Sequence, residues 1–135
     1  MITAVDTSVL LDVLLADTKL GPGSRDALRG ALSQGRLVAS DVVWAETAAA
    51  FPSSDAATAA MRELTIEYSA TTPEAAADAG AAWRVYRASG GKRDRVIADF
   101  LIGAHAASHA DRLLTRDRGF YRTYFRGLEM IDPSA

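Results

Sequence analysis

A chain of 135 residues, 49% hydrophobic and 24% charged, is long enough for one domain with a hydrophobic core and has the balance of a water-soluble globular protein. It has no cysteine, which excludes a disulfide framework and a thiolate zinc site, and no run of about 18 apolar residues is present to cross a membrane. The net charge of −2 conceals a split: residues 84–126 carry ten Arg or Lys against four acids, leaving that segment at +6 and the remainder at −8, a pattern open to two readings, a solvated mixed surface or a phosphate-tracking face.

Residues 2–6, ITAVD, read as a short buried strand, followed directly by the helical stretch SVLLDVLLA. This apolar start is broken by Asp6 and Asp12 and lacks a basic leader, so it makes a poor signal peptide, and a cytoplasmic location is the expectation. After Gly21-Pro22-Gly23 the stretch SRDALRGALSQ reads as a helix with Ser24 as N-cap and Gly35 as stop. RLVAS (36–40) is a second strand. DVVWAETAAAF then runs as a helix to Pro52, and SSDAATAAMREL restarts it behind Ser53 or Ser54. TIEYSA (65–70) suits a third strand. PEAAADAGAAWRVYRAS opens on Pro73, whose fixed φ favours a helix start, and ends at Gly90-Gly91. RVIADFLIGAHAASHA is the next helix, and RLLT (112–115) and GLEMI (127–131) are the last strands. The alternation predicts a single α/β domain over residues 1–135, a three-layer α/β/α sandwich around a parallel sheet of about five strands.

Ligands of such sheets bind beyond the carboxyl ends of the strands, where the strand order reverses. Asp6 ends the first strand and Asp117 follows the fourth, so the two share one edge if the first strand lies at the reversal. Glu46 interrupts the apolar helix VVWAETAAAF, and Asp99 interrupts the apolar run ADFLIGAHA. Each has a plain structural alternative: a helix cap for Asp6, an exposed stripe for Glu46, an ion pair with Arg95 for Asp99, and a turn for Asp117. Together they describe acids able to converge. Two carboxylates about 4 Å apart repel by about 4 kcal/mol at an effective dielectric near 20, so three or four gathered there call for a cation. Hard oxygen donors select Mg²⁺ or Mn²⁺ over zinc. The other acids have solvated or capping roles, Asp41 as a cap or first-turn acid and Asp12 as a structural residue. His105 and His109 are spaced i, i+4, but neither a glutamate at 106 nor a third ligand accompanies them, so a structural role is expected.

The segments ITAVDTSVLLDVL, VVWAE, RVIADFLIGAHA and LLTRDRGFYRTYFRGLEMIDP, in that order and spacing, resemble a PilT N-terminal (PIN) domain over nearly the whole chain. Size and pattern are most similar to the VapC toxins of type II toxin–antitoxin systems. The resemblance maps an acidic catalytic and metal-binding site onto Asp6, Glu46, Asp99 and Asp117, with the hydroxyls of Thr7 and Thr115 supporting it. Where many relatives have Asn after D-T, this chain has Ser8. The resemblance further implies a Mg²⁺-dependent endoribonuclease, a homodimer, and a cognate VapB-like antitoxin that blocks the acidic groove. In that chemistry the acids hold a cation that activates water for attack on an RNA phosphodiester, and Arg93, Arg95, Arg116 and Arg118 are candidates for holding phosphates. A haloacid-dehalogenase phosphatase is disfavoured because position 8 is Ser rather than Asp, and a response-regulator receiver because the only lysines are Lys19 and Lys92. An RNA-processing nuclease outside a toxin–antitoxin pair, and a non-catalytic RNA- or protein-binding module, are the remaining alternatives.

Overall fold

A computed structural model describes residues 1–90 and 95–133. Five strands, β1 (Ile2–Val5), β2 (Arg36–Ser40), β3 (Ile66–Ser69), β4 (Arg112–Leu114) and β5 (Glu129–Ile131), form one all-parallel sheet in the order β3-β2-β1-β4-β5. Among the described residues seven helices complete it: α1 (Thr7–Leu14), α2 (Gly21–Gln34), α3 (Asp41–Ala48), α4 (Ser54–Glu63), α5 (Pro73–Ala88), α6 (Ile97–His109) and α7 (Arg118–Tyr124). This is the α/β/α sandwich that the alternation of signals predicts.

The chain lays down β1, β2 and β3 outward in one direction, then crosses back to place β4 and β5 on the other side of β1. The order therefore reverses between β1 and β4, where Ala4 pairs with Leu113 and Val5 with Leu114. A strand flanked on both sides and covered on both faces needs an unbroken apolar run. Accordingly Ala4, Val5, Val38, Leu113 and Leu114 are all buried. Thr3 is buried too, its hydroxyl accepting from Arg112 Nε at 2.9 Å.

An aromatic cluster joins the later helices: Phe100 of α6 lies 5.1 Å from Phe120 of α7 and 5.5 Å from both Tyr86 of α5 and Tyr124 of α7, ring centroid to centroid. Gly103 lets α6 come close to the segment after α7, because a Cβ there would lie 2.3 Å from the Phe125 ring.

Several boundaries differ from the sequence reading. α2 begins at Gly21, not behind Ser24, since Pro22 suits the first helical turn and the Asp17 carboxylate accepts from the Lys19 and Leu20 amides ahead of it. Ser24 is buried and donates to Asp12 instead of capping. α3 is capped by the Ser40 hydroxyl and ends at Ala48, four residues short of Pro52. Asp41 lies in its first turn and accepts from Thr71 Oγ1 at 2.6 Å. Ser53 is the cap of α4. β2 spans the predicted residues 36–40; β1 and β4 each end one residue early, where the chain leaves the ladder to start a turn, β3 loses one residue at each end, and β5 starts two residues late.

Candidate active site

The carboxyl ends of β1 and β4 open into a cleft of about 450 Å³ lined by Asp6, Thr7, Ser8, Glu46, Asp99, Ile102, Arg116 and Asp117. Four elements deliver the acids. Asp6 follows the last residue of β1 and caps α1, its Oδ1 accepting from the Thr7 amide at 2.8 Å. Asp117 lies three residues beyond β4, at the start of α7. Glu46 comes from α3, and Asp99 from the first turn of α6, where one oxygen accepts from the Val96 amide at 3.0 Å.

Two threonines tie these acids together. Thr115 Oγ1 donates to Asp6 Oδ2 at 2.7 Å and accepts from the Asp117 amide at 3.0 Å, so one buried hydroxyl fixes both. Thr7 Oγ1 donates to Glu46 Oε1 at 2.7 Å. Asp6, Glu46 and the start of α7 at Asp117 are thus held by two hydroxyls, Thr7 at the start of α1 and Thr115 directly after β4. Side chains that orient ligands in this way commonly set the geometry of a site.

Electrostatics follows from the crowding. Asp6 is buried, and its carboxyl is pushed above the ordinary carboxylate range chiefly by burial, aided by the charges of Asp117 and Glu46 and opposed by the Thr115 and Thr7 hydrogen bonds. Tyr121 of α7 is buried beside the same acids, and burial followed by the charges of Asp6, Asp99 and Asp117 holds its hydroxyl protonated, with Arg95 opposing. Nothing in the sequence singles out Tyr121, because Asp6 and Asp99 reach it from distant segments.

The arginines separate. Arg95 forms a two-pronged ion pair with Asp117, its Nη2 reaching Oδ1 at 3.2 Å, and its guanidinium carbon lies 4.2 Å from the centroid of the Phe120 ring. The expected Arg95–Asp99 pair is therefore replaced by Arg95–Asp117, since Asp99 turns back to cap its own helix. Arg116 lines the cleft while its Nη2 holds Asp12 Oδ1 at 3.0 Å, and Asp12 is buried with Ser24 Oγ at 2.8 Å. Asp12 is thus a structural strut. Arg118 Nε pairs with Asp132 at 3.1 Å. Arg93 lies outside the described residues. His105 is in the core with Nε2 at 2.8 Å from Ser69 Oγ.

The donor set fits a hard divalent cation in kind: the acids of the cleft are all carboxylates, with no thiolate or imidazole among its lining residues. Among the described residues no three acids or imidazoles already stand close enough to grip one ion. Asp6, Glu46, Asp99 and Asp117 each have at least one oxygen on a protein donor.

Known proteins bear on the same features. The structure is similar to VapBC2 from Rickettsia felis bound to a promoter DNA fragment, with TM-score 0.74, 17% identity and 98% of each chain covered. It is similar to VapBC-1 from nontypeable Haemophilus influenzae, with TM-score 0.73, 19% identity and 100% of each chain covered. It is also similar to DNA-bound VapBC from Salmonella typhimurium, with TM-score 0.72, 15% identity and 98% of each chain covered. Among curated proteins none matches the chain by sequence. The PIN domain model matches residues 3–126, which takes in every acid of the cleft. The chain belongs to the PIN domain family.

Proposed function

We propose that this protein is the toxin of a type II toxin–antitoxin pair, a Mg²⁺-dependent endoribonuclease that hydrolyses RNA phosphodiester bonds. The observation that carries the nuclease reading is the convergence of Asp6, Glu46, Asp99 and Asp117 on one cleft at the strand-order reversal. The toxin reading draws on the likeness to VapBC structures, and with it come a VapB-like antitoxin, a homodimer and a cytoplasmic location as parts of the proposal. No helix among the described residues is long and apolar enough to cross a membrane.

Asp6 and Asp99 would be the principal ligands of Mg²⁺ or Mn²⁺, with Glu46 and Asp117 binding directly or through water. A bound dication supplies an activated water and charge neutralisation at the leaving oxygen. The chain's own residues do the rest. Thr115 holds the Asp6 carboxylate and the Asp117 amide, Thr7 holds Glu46, the Val96 amide holds Asp99 and Arg95 holds the Asp117 carboxylate, so each of the four acids lining the cleft is fixed before substrate arrives. Asp6, already hard to ionise in its buried setting, loses that burden when a cation stands beside it. Arg116, braced by Asp12, offers a guanidinium on the cleft wall to a substrate phosphate.

The test is cleavage of a cellular RNA preparation by purified protein with Mg²⁺ and with excess EDTA, for the native chain and for Asp6→Asn and Asp99→Asn. Cleavage only with Mg²⁺, lost by a factor of about 10² or more in each variant while the circular dichroism spectrum is kept, is the expected result. Equal cleavage in EDTA would overturn the metal mechanism. For the toxin role, expression of the chain alone should arrest growth, and co-expression with a small DNA-binding protein encoded immediately upstream should relieve it.

A further inference from the structure

The Asp117 carboxylate faces the cleft, yet both of its oxygens are taken by Arg95. A planar guanidinium on a carboxylate matches two donors to two acceptors, so it neutralises Asp117 in place. The stack on Phe120 holds the guanidinium plane at that position. Asp6, Asp99 and Asp117 all act on the buried Tyr121, and Arg95 is the cation that opposes them there. Among the described arginines near the cleft, Arg116 pairs with the buried Asp12 and Arg118 with Asp132. Arg95 differs in pairing with a carboxylate of the acidic cleft.

We propose that Arg95 is a phosphate-positioning residue held in reserve, its guanidinium neutralising Asp117 until a divalent cation takes that carboxylate, whereupon Arg95 is released to a phosphate of single-stranded RNA. This rests on the reading of the cleft as a metal-dependent nuclease site. One carboxylate cannot offer the same oxygens fully to a guanidinium and to a dication, so the two compete. The released guanidinium, at the rim of a site whose substrate is a polyanion, has a phosphate as its natural acceptor. Cation binding and RNA binding are thereby coupled through one side chain, and coupling of this kind is reciprocal.

The prediction has opposite signs in one variant. Arg95→Gln should bind Mn²⁺ about three- to tenfold more tightly by titration calorimetry, because Asp117 no longer has to be freed. The same variant should bind a fluorescent single-stranded RNA dodecamer about three- to tenfold more weakly in Ca²⁺, which replaces Mg²⁺ to hold back hydrolysis. Its salt dependence should lose a slope of about 0.7, one phosphate contact. Without a divalent cation the defect of the variant should be smaller than in Ca²⁺, since Arg95 is then occupied and only its neutralisation of Asp117 is lost. Arg95→Lys, which keeps the charge without the fork, should retain RNA binding in Ca²⁺ and serves as the readout if the glutamine variant is unstable.

An arginine that merely braced the fold would weaken both ligands when removed, and that outcome overturns the proposal. So does an RNA defect of equal size with and without Ca²⁺. Native protein that binds Mn²⁺ as tightly as the variant overturns this inference alone, whereas native protein that binds no Mn²⁺ overturns the metal reading of the cleft and this inference with it.

Discussion

At the scale of single residues, isolation in the sequence and isolation in space are different things. Asp99 stands alone in ADFLIGAHA, yet one of its oxygens satisfies the Val96 amide at the start of α6 while the residue lines the acidic cleft. His105 shows the reverse case, a polar residue with no part in the cleft. It is buried, and its ring is pushed down to about 4 from 6.5, first by burial and then by His109, with Asp41 and the Ser69 hydrogen bond opposing. The folded protein therefore excludes a proton that the unfolded chain accepts below pH 6.5. Stability should be complete above that pH and decline as pH falls towards about 4, by up to about 3 kcal/mol from this ring. Urea unfolding between pH 7 and pH 4 checks it, and His105→Gln should flatten that part of the profile. An unchanged slope in the variant would show that the acid loss arises elsewhere.

At the scale of elements, closeness of approach matters most. α6 carries Asp99 on one turn and Gly103 on the next, and the glycine sets how near the Phe125 ring can come. Gly103→Ala should gain about 1 kcal/mol of helix propensity and lose more to overpacking, leaving a net cost of about 1–2 kcal/mol in the unfolding free energy. A variant as stable as the native chain would mean that Phe125 gives way without cost. Elements were the most legible part of the sequence: the five strands and the six longer described helices follow from apolar runs, Pro73 and Ser53, whereas the short α7 has no such run of its own. The errors fall where a side chain is claimed by a distant residue. Ser24 looked like a cap because nothing local reveals that Asp12 takes its hydroxyl. The Arg95–Asp99 pair looked natural at i, i+4, but such pairs are worth only a few tenths of a kcal/mol, and a two-pronged grip on Asp117 outweighs that. The acids of the cleft were recoverable because each breaks an apolar run or follows a strand. Tyr121 was not, since its role depends on what surrounds it.

At the scale of the whole molecule, four elements that have no sequence proximity are held together against the mutual repulsion of the acids they carry. A dication that satisfies those acids binds the folded chain and not the unfolded one. Mg²⁺ at about a hundred times its dissociation constant should therefore add about 2.7 kcal/mol, raising the melting temperature by several degrees. Thermal denaturation with and without Mg²⁺ measures this, and Asp6→Asn should abolish most of the shift. A melting temperature indifferent to Mg²⁺ in the native chain would argue against a site of that kind.

The place of β1 in the sheet has a consequence for the order of events during synthesis. Of these five strands the central one leaves the ribosome before the others, and its partner on one side, β2, follows within about thirty residues, whereas the register on the other side joins Thr3 to Arg112. At roughly 5–20 residues per second, β1 waits several seconds or more with that flank unpaired. Until then Asp6 has no Thr115 to donate to it, and the growing chain carries at most three of the four carboxylates. A nascent chain thus lacks the complete acidic cleft until β4 and the Thr115–Asp117 turn have emerged, more than a hundred residues after β1.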